Sequence, residues 1–148
     1  MGDVFAYRLD GESSGYPTFH DKYIYFVVRG KETWHPGHTI PTVYVYWAIS
    51  DELLNLDQLP KLLYLPQFYT PAAYINHPKM NRKYALGLLC TSERIISKRK
   101  LVYLGNIGAI EPVENEDSSA YHVTWKQLDK YMIENYMAWD KSETALSK

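Results

Sequence analysis

Two histidines on a short turn have the spacing in this sequence that is most suggestive of chemistry. His35 and His38 flank Pro36-Gly37, a tight-turn signal because proline presets φ and glycine accepts φ > 0. Two imidazoles on one turn can point the same way and hold a zinc ion, which also needs a third and usually a fourth ligand. The other histidines, none at a recognised spacing, are His20, His77 and His122. The alternative interpretation is a polar surface turn beside Trp34.

A second pattern is typical of phosphoester chemistry. His122-Val123-Thr124 has the spacing of one arm of the two-histidine phosphoesterases, in which a histidine and a hydroxyl two residues apart on a strand hold a phosphate. Those enzymes need two such arms, and His38-Thr39-Ile40 does not repeat the spacing. Thr124 is better explained as the N-cap of a helix.

The basic cluster of the chain is Lys98, Arg99 and Lys100, which could contact RNA or an acidic partner. The whole chain carries 16 basic and 17 acidic residues, a formal net charge of −1. Proteins that grip a phosphate backbone usually show a basic excess. The charge balance therefore argues against nucleic acid as the main partner, and a solvated turn between two strands is the alternative for this cluster.

The motifs that the sequence lacks narrow the function further. It has no Gly-rich phosphate loop and no Gly-x-Ser-x-Gly elbow, so we expect no bound cofactor and favour a non-enzymatic protein. Its one cysteine, Cys90, excludes an internal disulfide and has the apolar neighbours of a buried thiol. No signal peptide is recognisable, and no apolar run approaches the roughly 20 residues of a membrane span. We therefore expect a soluble cytoplasmic protein.

The elements that position these residues are organised around residues 41–49. Val43, Val45 and Trp47 alternate with Tyr44, Tyr46 and Ala48, which is the period of a β-strand. Tyrosines occupy much of the second face, so neither face is strongly polar. This pattern predicts a central strand that is covered on both sides.

Further strands are predicted over residues 4–9, 22–29, 84–91 and 101–107, with Gly105 suggesting a β-bulge or a close backbone approach. Ser50 looks like the N-cap of one or two short helical turns between residues 51 and 63, where Pro60 prevents a long helix. A capping box of Thr124 and Gln127 predicts the start of the clearest helix. Its apolar stripe consists of Trp125, Leu128, Met132, Tyr136 and Trp139.

Together these elements predict one α+β domain over residues 1–148, with a tail that frays from about residue 141. A strongly twisted antiparallel sheet of about five strands, able to curl into a partial SH3-like barrel, would be covered by the C-terminal amphipathic helix. The aromatic share of 15%, including 14 tyrosines, suits half-buried strand faces and contact surfaces.

Two stretches resemble a known family. Gly2-Asp3-Val4-Phe5-Ala6-Tyr7-Arg8-Leu9 resembles the opening strand of the bacterial polymorphic-toxin immunity family twenty-six, and Leu101-Val102-Tyr103-Leu104-Gly105-Asn106 resembles a later strand of that family. A similar opening occurs in small SH3-like barrels such as ribonuclease toxins. Pro36-Gly37-His38-Thr39-Ile40-Pro41 and Leu65-Pro66-Gln67-Phe68-Tyr69-Thr70-Pro71 are similar to segments from gut-dwelling Gram-positive bacteria. The resemblance implies a cytoplasmic binder of a toxin or other effector and supplies no catalytic residue.

The sequence therefore predicts an immunity or antitoxin-like protein that binds a protein partner through rings in loops, where function tends to lie. The expected contact residues are Trp34, His35, His38, Phe68 and Tyr69. One alternative is a small metal-dependent hydrolase that uses His35 and His38 with His77 or His122. The other is a nucleic-acid-binding module that uses the basic cluster.

Overall fold

The computed structural model describes residues 2–35, 38–59, 64, 65, 67, 85–89, 101–110, 121–124 and 127–146, with the backbone alone for 31–35, 38–40, 85, 88–89, 121–124 and 139–146. The strands are β1 Asp3–Arg8, β2 Tyr23–His35, β3 His38–Ser50, β4 Ala85–Leu89, β5 Val102–Asn106 and β6 Tyr121–Thr124. The α-helices are α1 Gly11–Ser14 and α2 Leu128–Leu146, and short 3₁₀-helices cover Pro17–Phe19 and Leu56–Gln58.

The described strands form a six-stranded sheet in the order β5-β1-β2-β3-β4-β6. Each neighbouring pair from β5 to β4 is antiparallel, and only β6 joins in parallel, beside β4. This arrangement confirms the predicted α+β class with an antiparallel sheet and a C-terminal helix. Within the described part of the chain, β5 and β6 lie at the two edges of the sheet.

Strand β3 lies between β2 and β4, and both of its faces are buried, as its alternating pattern predicts. On the first face, Val43 and Val45 join a core cluster with side chains of α2. The residues of the predicted stripe that pack there are Leu128, Met132 and Tyr136, all at most 1% exposed. Burial of side chains of this kind stabilises a fold by about 1.5–3 kcal/mol each.

On the second face of β3, Tyr44 and Tyr46 pack against Tyr64, with ring centroids 4.9 and 5.4 Å apart, respectively. Leucines from the segment that follows β3 complete this cluster and cover the rings. Tyrosine suits such a layer because a large apolar ring is buried while the hydroxyl can still find a partner. β3 is therefore the central strand of the sheet, with a core cluster on each of its faces.

An irregular region of β3 is held by a side chain of α2. The register passes from Ile24 opposite Ile49 to Phe26 opposite Val45. Three residues of β3, numbers 46–48, therefore lie opposite one residue of β2. The hydroxyl of Tyr136 donates to the carbonyl oxygen of Tyr46 at 2.7 Å and lies 3.1 Å from that of Ala48. One phenol of the helix thus supplies hydrogen bonding that the bulged strand pair lacks.

The structure corrects two predicted helix starts. Ser50 is not a helix N-cap: it ends β3 opposite Tyr23, and the helical turn begins later, with a capping box between Asn55 and Gln58. Thr124 does not begin the C-terminal helix, because it lies in β6, where it pairs with Leu89 of β4. In both cases the residue pairs with a neighbouring strand instead of capping a helix.

Two further local features are informative. The loop after β1 contains the short helix α1, whose N-cap Asp10 accepts a hydrogen bond from the backbone of Ser13 at 3.0 Å. The predicted bulge at Gly105 is confirmed, since the register against β1 shifts there and the glycine has φ +143°. Helix α2 continues to Leu146, and the predicted fraying of the tail stays a prediction.

Candidate functional site

The β2–β3 hairpin extends beyond the strands on either side of it. β1 follows β2 only as far as Val28, whose carbonyl accepts from the backbone of Gly2 at 2.8 Å, and β4 follows β3 only to Thr42. Beyond this level, residues 31–35 and 38–41 pair only with each other among the described residues. At about 3.3 Å per residue, residues 38–41 of β3 carry this hairpin arm roughly 13 Å beyond the level of Thr42, while β4 itself continues to Leu89, level with residue 40.

The end of the hairpin arm brings together three of the predicted contact residues. His35 lies directly opposite His38 in the register, and Trp34 precedes His35 in β2. Residues directly opposite in an antiparallel pair share one face of the hairpin. The other two predicted contacts, Phe68 and Tyr69, lie outside the described residues.

The edges of the hairpin arm are interrupted. The register shifts once between Val28 and Gly30 and again between Thr33 and His35, so β2 carries an extra residue at each place. On the other strand Pro41 stands within the arm and has no N–H to donate. Bulges and edge prolines are devices that discourage pairing with a foreign strand. The edges of the arm are therefore poorly suited to the addition of a foreign strand.

Among the described residues, the backbone does not bring His122 close to this turn. His122 lies in β6 opposite Gly87, which itself pairs with Thr42 at the base of the arm. It is thus two strands away from β3, roughly 10 Å, and about 13 Å from the level of His38 along the strand direction. Among the described residues no group of three or more His, Cys, Asp or Glu could hold a metal ion, and His77 lies outside them.

His20 belongs to a charged cluster at the opposite end of β1. Its Nδ1 lies 3.6 Å from the Asp10 carboxylate, and its Nε2 lies 3.6 Å from Asp21 and 4.0 Å from Glu12. The guanidinium of Arg8 is 3.5 Å from Asp21. These contacts connect the loop containing α1 to the sheet, so their evident role is structural.

A further cluster, which the sequence did not indicate, lies at the base of the hairpin arm. It consists of Asp3, Phe5, Tyr103 and Asn106, and is called the edge cluster below. The Tyr103 hydroxyl donates to Oδ1 of Asp3 at 3.1 Å, and the Asn106 amide donates to the same oxygen at 2.9 Å. The rings of Phe5 and Tyr103 are 5.4 Å apart and tilted by 58°.

The edge cluster combines a negative charge with an exposed ring. Hydrogen bonds, first from Asn106 and then from Tyr103, lower the pKa of Asp3 because they favour its ionised form. Tyr103 is 56% exposed despite these contacts. Sequence reasoning predicted both strands, but β1 and β5 are about 100 residues apart, and no local signal shows that they pair.

Comparison of the chain with protein-family models, curated proteins and solved structures finds no significant match. The family resemblance and the function it implies therefore stay predictions. Among the helices described, none combines the length and apolarity needed to cross a bilayer. Lys98, Arg99, Lys100 and Cys90 lie outside the described residues.

Proposed function

We propose that this protein is a non-enzymatic, cytoplasmic binding module of the immunity or antitoxin kind, which neutralises a toxin or other effector by surface contact. The observation that carries the proposal is the hairpin arm, whose paired strands extend past the described residues of both neighbouring strands. The residues at its end are Trp34, His35 and His38, and Phe68 and Tyr69 complete the proposed contact set.

The way the sheet holds the arm supports a binding role. β3 is buried on both faces below the arm, so the base of the hairpin is rigid. A rigid base reduces the entropy lost when a partner docks, and tryptophan is among the residues that most often dominate binding energy. One indole and two imidazoles at the end of the arm would offer a partner an apolar contact flanked by hydrogen-bonding groups.

The register of His35 and His38 also favours a second candidate, a metal-dependent hydrolase. Directly opposite histidines could supply two ligands, but a zinc enzyme needs a third. The test is metal analysis of protein purified without chelator. Less than about a tenth of an equivalent of zinc or manganese would remove this candidate, whereas a stoichiometric ion lost on mutation of either histidine would overturn our proposal.

The direct experiment for the binding function uses the product of the gene adjacent to that of this protein. We expect its toxicity on induction in a bacterial host to be relieved by co-expression of this chain, and the two proteins to elute together on gel filtration. Alanine at Trp34, His35 and His38 should abolish both effects. Met137→Ala, at a position 45% exposed on α2, is the matched control and should leave both intact. Full protection by the triple variant would refute the proposed surface.

A further inference from the structure

The exposed ring of Tyr103 is held in one orientation. Its hydroxyl is tied to Asp3 at 3.1 Å and one side of its ring contacts Phe5, yet more than half of the residue stays accessible to solvent. A large aromatic residue with few remaining rotamers loses little entropy on binding. The ring is therefore a preorganised surface on which a flat group can stack.

The carboxylate beside this ring is also fixed, and one of its oxygens receives no side-chain hydrogen bond from the described residues. Both side-chain hydrogen bonds that the described residues give Asp3 end on Oδ1, and none ends on Oδ2. The donating amide of Asn106 is oriented in turn, because its oxygen accepts from the backbone of Gly108 at 2.6 Å. The edge cluster thus presents an aromatic face and an oriented negative oxygen side by side.

We propose that the edge cluster binds an arginine side chain of the protein partner. The guanidinium would stack on the ring of Tyr103 and donate hydrogen bonds to Oδ2 of Asp3. A planar cation that stacks on an aromatic ring and forks onto a carboxylate matches this pair of groups better than the compact ammonium of lysine. The charge complementarity selects a basic partner surface.

The position of the edge cluster joins it to the surface proposed above. Asp3 begins β1 next to Gly2, which bonds to Val28 just below the hairpin arm, and Asn106 is opposite Asp3 in β5. The edge cluster therefore lies at the end of the sheet from which the hairpin arm extends. The assignment of the arginine to a protein partner rests on the proposed function, whereas arginine recognition itself can be measured without any partner.

The test is an NMR titration of the full-length protein, carrying any affinity tag at its C-terminus, with acetyl-arginine amide. We expect saturable shifts of the amide signals of Asp3, Tyr103 and Asn106. Acetyl-citrulline amide, which has the same shape without the charge, should cause no saturable shifts. Asp3→Asn keeps an acceptor for the Asn106 amide, and Tyr103→Leu keeps an apolar strand residue. Each should weaken arginine binding by about three- to fivefold, the magnitude expected for one exposed ion pair or cation–π contact.

The outcomes separate this inference from the proposed function. Equal shifts with the citrulline and arginine probes, or unchanged binding in both variants, would overturn the inference whatever partner is found. A partner whose affinity depends on the hairpin arm but not on Asp3 or Tyr103 would also overturn it and leave the function standing. Arginine binding confined to the edge cluster, in a protein that neutralises no toxin encoded by an adjacent gene, would support the site and count against the function.

Discussion

Removal of the Tyr136 hydroxyl is the sharpest test of how the sheet is held together. Tyr136 is 1% exposed, and its hydroxyl donates to the carbonyl of Tyr46 at 2.7 Å, with that of Ala48 at 3.1 Å. Both carbonyls belong to the bulged part of β3 that faces one residue of β2. In Tyr136→Phe the ring still fills its place, so the change isolates the hydrogen bond.

The expected cost follows from leaving buried acceptors without a donor. A typical hydrogen bond contributes about 0.5–1.5 kcal/mol net, and an unsatisfied buried group costs about 1–3 kcal/mol. We therefore expect Tyr136→Phe to lower the free energy of unfolding by about 1–3 kcal/mol. With a urea m-value of about 2 kcal/mol/M, the unfolding midpoint should fall by roughly 0.5–1.5 M.

The measurement is urea unfolding followed by circular dichroism, with Tyr103→Phe as the matched control. That control removes a hydroxyl of an exposed tyrosine, and surface changes of this kind usually stay within about 0.5 kcal/mol. If the two variants lost equal stability, or if Tyr136→Phe unfolded like the wild type, water or another donor would serve the β3 carbonyls and our account of the bulge would be wrong. Partner binding should be unaffected, because the substituted hydroxyl lies far from the hairpin arm.

Three further changes test other parts of the fold. Burial, and then the neighbouring Tyr64, raises the pKa of Tyr46 to about 12, so the folded state favours the neutral phenol. That stabilisation is complete below pH 10 and is lost as the pH rises through about 12. A pH titration followed by absorbance at 295 nm should show one tyrosine that ionises late, and Tyr46→Phe should remove it. An unchanged titration curve in this variant would contradict the assignment. Asp129→Ala should lower the free energy of unfolding by about 2–4 kcal/mol in chemical denaturation. The reason is that the buried carboxylate accepts hydrogen bonds from the Tyr7 hydroxyl at 3.1 Å and the Asp10 backbone at 2.8 Å. A loss under about 1 kcal/mol would show that water replaces these bonds. Gly105→Ala should cost about 1–3 kcal/mol in the same assay, since φ is +143° at this bulge, and a neutral result would mean that β5 can relax.

The spine of the sheet could be predicted from the sequence because its signal is local. The alternation of Val43 and Val45 with Tyr44 and Tyr46 indicates both a strand and burial on two faces. The stripe of α2 is equally local, since residues on one face of a helix recur every three or four positions. The central strand and the stripe residues Leu128, Met132 and Tyr136 are therefore confirmed, whereas Trp125 and the side chain of Trp139 lie outside the described residues.

Features that depend on long-range pairing could not be predicted in this way. β6 is four residues long and contains Thr124, whose local signal as a helix cap gave way to pairing with Leu89 of β4. The edge cluster depends on β1 and β5 meeting, and nothing near Asp3 in the sequence indicates Tyr103. The turn of His35 and His38 was recognised from its spacing, but the extension of the arm beyond β1 and β4 follows only from the register of the whole sheet.

The most direct test of the central claim is the affinity of the purified protein for the neighbouring gene product, measured by isothermal titration calorimetry. If the tip of the arm anchors the partner, alanine at Trp34, His35 and His38 together should raise Kd at least about 100-fold, because hot-spot residues are worth about 2 kcal/mol or more each. An affinity within about threefold of the wild type, equal to that of Met137→Ala, would contradict the account.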